Sequence, residues 1–137
     1  MRKRDQFPPG WRILCVDRSK QVGERLSRRF HRAGHHVAWA GNGEAAWAKL
    51  AKNLNFFEVV VTEHQLPRLN GLGLVERLRN AHYPGRIVVL CAALGPVETS
   101  AYRYLAVDAI LRKGAGESGL SRIVEAFYAA RWAALSG

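Results

Sequence analysis

The chain has 137 residues, of which 48% are hydrophobic and 23% charged, a balance that suits one folded domain and excludes a disordered chain. Its longest apolar run, Ile87 to Leu94, falls far short of the ~20 residues a membrane span needs. Two cysteines without C-x-x-C spacing make neither a disulfide framework nor a paired-thiol metal site, while 21 Lys and Arg against 11 Asp and Glu leave a net charge of +10.

Residues 1–10 are basic, end in Pro8-Pro9-Gly10 and carry no hydrophobic export segment, so they are expected to form a disordered tail on a cytoplasmic domain covering residues 11–137. From Trp11 the chain alternates between two kinds of segment. A β-branched run, Ile13–Val16, predicts the first strand. Val22, Leu26, Phe30 and Ala33 then share one face of a helix, Arg25, Arg28, Arg29 and Arg32 lie on the adjoining face, and Gly34 ends it. A strand at Val37–Ala40 precedes a helix from about Gly43 to Asn53, with Ala46, Trp47 and Leu50 inward. Val59–Thr62 leads to a helix over about Leu72 to Asn80, and Ile87–Cys91 to one over about Pro96 to Leu105 that opens on a proline. A short strand around Ala109–Leu111 precedes the final helix, Ser118 to Leu135, which buries Leu120, Ile123, Val124 and Phe127. Strands separated by helices of this length imply βαβ crossovers. The expected fold is α/β: a doubly wound, five-stranded parallel sheet with helices on both faces.

Functional groups in such a sheet gather beyond the carboxyl ends of the strands. There the first strand runs into Asp17 and Arg18, the third into Glu63, the fourth into Cys91 and the fifth into Lys113. Two carboxylates, two cations and a thiol from four strand ends define a candidate pocket.

These residues and their surroundings resemble the receiver domains of two-component response regulators, from Arg12 to about Phe127. Ile-Leu-Cys-Val-Asp-Arg (13–18) is similar to that family's first strand, which normally ends in paired aspartates. Val59 to Gly71 contains L-P-x-L-N-G and resembles the phosphorylation strand and loop, with Glu63 at the position of the phosphate-accepting aspartate. Residues 87–92 resemble the fourth strand, with Cys91 where the family has a switch Thr or Ser. Residues 107–114 resemble the fifth, with Lys113 as its usual lysine, Gly114 in place of proline and Ile110 in place of the switch aromatic. Residues 40–47 match the start of the second helix. The resemblance implies a flavodoxin-like (βα)₅ sandwich, CheY-like, acting in phosphorelay signal transduction.

The departures imply a pseudo-receiver. A typical pocket sets three carboxylates against one lysine and holds Mg²⁺, whereas Asp17 and Glu63 here face Arg18 and Lys113. Hard Mg²⁺ gains little from a neutral site, so no cofactor is expected and Mg²⁺ binding should be weak or absent. Glu63 is one methylene longer than aspartate, and in-line phosphoryl transfer tolerates little displacement. Cys91 is a poorer donor than a hydroxyl. Arg18 is expected to stand in for the metal, pairing with Glu63 or Asp17 while Lys113 takes the other carboxylate. A thiol beside Lys113 and Arg18 would be redox-reactive if its pKa were lowered, although a small buried strand residue is the simpler reading of Cys91.

Other motifs are weak. No P-loop or nucleophile elbow occurs, and His35-His36 would point to opposite faces of a strand, so neither a catalytic residue nor a metal site is assigned. Tyr102 and Tyr104 on the fourth helix, with Tyr128 and Trp132 on the fifth, are expected to form an interaction face. The expected role is a non-enzymatic signalling adaptor with no attached output domain. Its partner would be a signalling protein such as a histidine kinase or output protein, or a second copy in a homodimer. No membrane is expected. Two alternatives stay open: a basic nucleic-acid-binding module driven by the +10 charge, and a receiver that is still phosphorylated in the presence of Mg²⁺.

Overall fold

The computed structural model describes residues 10–114 and 117–136. The expected tail therefore lies almost wholly outside the described residues. Five strands alternate with five helices: β1 (Arg12–Val16), α1 (Lys20–Arg32), β2 (His36–Ala40), α2 (Gly43–Lys52), β3 (Val59–Glu63), α3 (Gly71–Asn80), β4 (Arg86–Cys91), α4 (Pro96–Tyr104), β5 (Ala109–Arg112) and α5 (Glu117–Ser136). The sheet is parallel throughout, in the order β2-β1-β3-β4-β5. That order places β3 at the centre between β1 and β4 and makes β2 and β5 the edges.

Side chains of a strand alternate between faces, and the sheet sorts its apolar residues accordingly. Leu14, Val16, Val60, Ile87 and Val89 pack with Leu50, Leu74, Leu78 and Tyr102, from α2, α3 and α4. Ile13, Cys15, Val59, Val61, Val88 and Leu90 pack with Leu26, Phe30, Leu120 and Val124, from α1 and α5. Burial on both faces explains why the strands read as continuous apolar runs instead of alternating ones. Ala33 departs from the expected stripe: it is the exposed C-cap of α1, and Gly34 follows it at φ +90°.

Short polar side chains start three of the helices at the functional edge of the sheet. Ser19 Oγ accepts from the Val22 N–H, Asn42 Oδ1 from Ala45 N–H and Asn70 Oδ1 from Gly73 N–H, each satisfying a donor that the first helical turn leaves free. α4 starts without a side-chain cap, on Gly95 and Pro96. At the opposite end of the sheet His35 is buried and joins three elements. Its Nδ1 accepts from the Trp11 N–H at 2.9 Å, and its Nε2 lies 2.8 Å from Glu125 Oε1 on α5. Both ring nitrogens are thus used in holding the fold together.

Candidate functional site

β1 and β3 are adjacent, with Val16 paired to Thr62, so the residues that end them emerge side by side. Asp17 and Glu63 are both buried, at 1% and 2% relative exposure. The Asp17 loop is fixed from several sides. Its N–H donates to Ala40 O, its carbonyl accepts from Trp39 Nε1 at 2.8 Å, and its Oδ1 accepts from the Ser19 N–H at 2.8 Å. Lys113, just beyond β5, is tied to β4 by its N–H to Cys91 O at 2.7 Å. Its ammonium lies 2.9 Å from Asp17 Oδ2 and also hydrogen-bonds Glu63 Oε2. On the other side of Glu63, Arg18 Nε lies 2.9 Å from Oε1. The Arg18 contact with Oε1 and the Lys113 contact with Asp17 Oδ2 are ion contacts and not directed hydrogen bonds.

Sequence reasoning placed Asp17, Arg18, Glu63, Cys91 and Lys113 in one pocket; the two carboxylates and two cations meet there, whereas the Cys91 thiol turns to the β5 backbone. The division of partners differs: Lys113 does not take one carboxylate and leave the other to Arg18, but bridges both. It can do so because Asp17 and Glu63 leave neighbouring strands, while Arg18 is tethered in the loop outside them. Arg18 keeps 60% of its side chain exposed, against 3% for Glu63.

Burial raises the Glu63 carboxyl above its ordinary 4.5; the Lys113 hydrogen bond opposes that rise and Asp17 reinforces it. Burial works against charge on Lys113 as well, but hydrogen bonds to Glu63 and Asp17 outweigh it and hold the ammonium above its usual 10.5. Cys91 fits the simpler reading, a small buried strand residue, and not a redox-reactive thiol. Burial raises its pKa, only partly offset by Arg112, and its Sγ donates at 3.6 Å to Leu111 O on β5. A thiol that is buried and bonded to a backbone carbonyl is an inert strand residue. Cys15 is also free, and another strand separates β1 from β4.

The aromatic face needs a larger correction. Tyr102 is fully buried, because α4 turns it inward beneath the pocket, where its hydroxyl lies 2.5 Å from His64 Nδ1. Tyr128 is half-buried against the opposite face of the sheet, edge-on to Trp11 and His35. Trp132 is also half-buried, and of the four only Tyr104 is exposed, at 90%. Counting aromatics on a helix does not reveal which point inward, so the four do not form one surface.

Two features were missed. The His64–Tyr102 contact joins residues 38 apart, and no local pattern announces it. Gly71 is required there: a Cβ would lie 2.6 Å from Glu63 O and 2.9 Å from the Tyr102 hydroxyl. Its position directly after Asn70, at the start of α3, was the available signal.

Among the described residues there is no group of three or more His, Cys, Asp or Glu able to hold a metal ion. Asp17 and Glu63 both touch the Lys113 ammonium, so a divalent cation shared between them would have to displace it. No described helix is long and apolar enough to cross a membrane.

The family described as response regulator receiver domain matches residues 13–125. A two-component response regulator of Arabidopsis thaliana is 32% identical over 72 residues, covering 53% of this chain and 13% of that protein. A gliding motility regulatory protein of Myxococcus xanthus is 29% identical over 117 residues, 84% of this chain and 14% of that one. The chain therefore spans a small part of the length of either relative. Among solved structures, a Francisella response regulator receiver domain superposes with a TM-score of 0.79 at 21% identity, covering 89% of this chain and 99% of that one. The chemotaxis protein CheY4 of Vibrio cholerae gives 0.75 at 22%, covering 85% and 97%. These two likenesses concern the fold.

Proposed function

The chain belongs to the response regulator receiver domain family, and on that premise we propose that it is an atypical member that signals by protein contact without being phosphorylated. The bridging of Asp17 and Glu63 by Lys113, with Arg18 closing Glu63 from outside, carries this reading. Two carboxylates against two cations leave no surplus negative charge to draw Mg²⁺ from its hydration shell. Without the metal, charge building up on a transferring phosphoryl group lacks its main clamp. Glu63 Oε2, one of the two oxygens that would attack, already accepts from Lys113. The pocket is thus a salt-bridged plug, its inner wall built from Asp17 and Glu63.

Loss of the moving parts points the same way. Cys91 bonds β5 and not the pocket, and Ile110 sits half-buried on β5. A phosphoryl group shifts a conformational equilibrium only through differential affinity for two states, and neither residue offers it a directed contact. The domain would therefore present one state to its partner, a histidine kinase or output protein in a two-component system or a second copy of itself, and perform no catalysis. Incubation with acetyl phosphate and Mg²⁺ should leave the intact mass unchanged. A phosphate-sized gain that disappears in Glu63→Gln would overturn the reading.

A further inference from the structure

Outside the salt-bridged plug lies a groove of about 470 Å³ lined by Arg18, His64, Gln65, Leu66, Pro67 and Asn70. None of these is a carboxylate, and four carry hydrogen-bond donors. Arg18 approaches Glu63 through Nε, and among the described residues no directed hydrogen bond takes up its guanidinium donors. The Tyr102 hydroxyl is buried, and its one acceptor among the described residues is His64 Nδ1. A buried hydroxyl donates where it can, so a neutral His64 carries its hydrogen on Nε2, an atom with no partner among the described residues. The Asn70 oxygen is committed to the Gly73 N–H at 2.8 Å, which leaves its amide nitrogen as a donor.

We propose that this groove binds a phosphate group noncovalently, with the Arg18 guanidinium as the principal clamp and His64 Nε2 and the Asn70 amide as supporting donors. A tetrahedral dianion has enough oxygens to meet all three, and guanidinium matches phosphate better than any other side chain. The site does not depend on whether Glu63 is phosphorylated, because inorganic phosphate has no activated leaving group to transfer. Tyr102 acts at a distance, as a positioning residue that holds the His64 tautomer.

The test is an NMR titration at constant ionic strength, following Arg18 Nε and His64 Nε2, with inorganic phosphate, phenyl phosphate and acetate as probes. Saturable shifts at both nitrogens are expected with the phosphates, and Arg18→Gln should weaken binding roughly tenfold or more, as loss of a charge-assisted bond does. Tighter binding of phenyl phosphate would assign the site to a phosphorylated group on another molecule; equal or tighter binding of inorganic phosphate would assign it to the free ion. Shifts that never saturate, or that survive Arg18→Gln unchanged, would overturn the proposal, and so would acetate binding as tightly as phosphate. If Arg18→Gln disturbs the fold, Arg18→Lys, which keeps the charge but loses the fork, must still weaken binding.

Discussion

Lys113 and Arg18 both touch Glu63, yet their substitution should differ sharply. Lys113 is mostly buried and serves two carboxylates. Lys113→Met would leave buried Asp17 without a cation and Glu63 with only the largely exposed Arg18, a loss of about 3–5 kcal/mol unless one carboxylate takes up a proton. Arg18 is largely solvated and Glu63 keeps Lys113 without it, so Arg18→Ala should cost about 1 kcal/mol or less. Urea unfolding of the two variants checks the ranking, and equal losses would mean that Arg18 carries the pocket. The same pocket sets an alkaline limit. Burial, assisted by Asp17, lifts the Cys15 thiol from 9.0 to about 12, and Lys113 is held above 10.5. In both cases the folded protein keeps a proton that the unfolded chain releases first. The stability each contributes is complete below the ordinary value and is lost as pH rises through the raised one. Unfolding free energy should therefore fall as pH climbs past about 9 and fall more steeply past 10.5. Cys15→Ala should flatten the first part of that decline.

At the scale of an element, α4 shows how one helix divides its aromatics between stability and contact. Tyr102 fills the space under the β3–α3 turn and reaches His64, whereas Tyr104, two residues on, faces solvent with Val97. Tyr102→Ala removes a buried ring and the hydroxyl that satisfies His64, and should destabilise by about 3–5 kcal/mol in thermal or urea unfolding. Tyr104→Ala should change stability by no more than about 0.5 kcal/mol, while weakening self-association or capture of a partner by at least about 1 kcal/mol, as interface anchors do. Sedimentation and binding assays on the soluble variant separate the two effects. Unchanged association in Tyr104→Ala would move the contact surface away from α4.

For the molecule as a whole, the net charge of +10 is the feature that neither the pocket nor the core absorbs. Arg28, Arg29 and Arg32 are exposed on α1, which gives the nucleic-acid alternative a physical basis. A basic surface alone supplies only sequence-independent, salt-sensitive attraction. Anisotropy with a labelled DNA duplex should accordingly show weak binding at low salt that vanishes at physiological ionic strength. Binding that persists there, with discrimination between sequences, would favour nucleic acid over protein as the partner.

Element order, the parallel sheet and the meeting of Asp17, Arg18, Glu63 and Lys113 were legible in the sequence. Apolar periodicity is local, and in a parallel sheet the chemistry collects at one known edge. Glu63 and Cys91 were visible as departures because their position within a motif is also local. The sharing of Lys113 between two carboxylates, the inward turn of Tyr102 and the packing of Tyr128 on Trp11 and His35 are of another kind. Each depends on the distance between side chains brought together from different elements, and a helical pattern assigns a residue to a face without stating what the neighbouring element puts there. Tyr102 and Tyr104 share one short helix and one residue type; only the position of α4 against α3 and His64 decided which became core and which became surface.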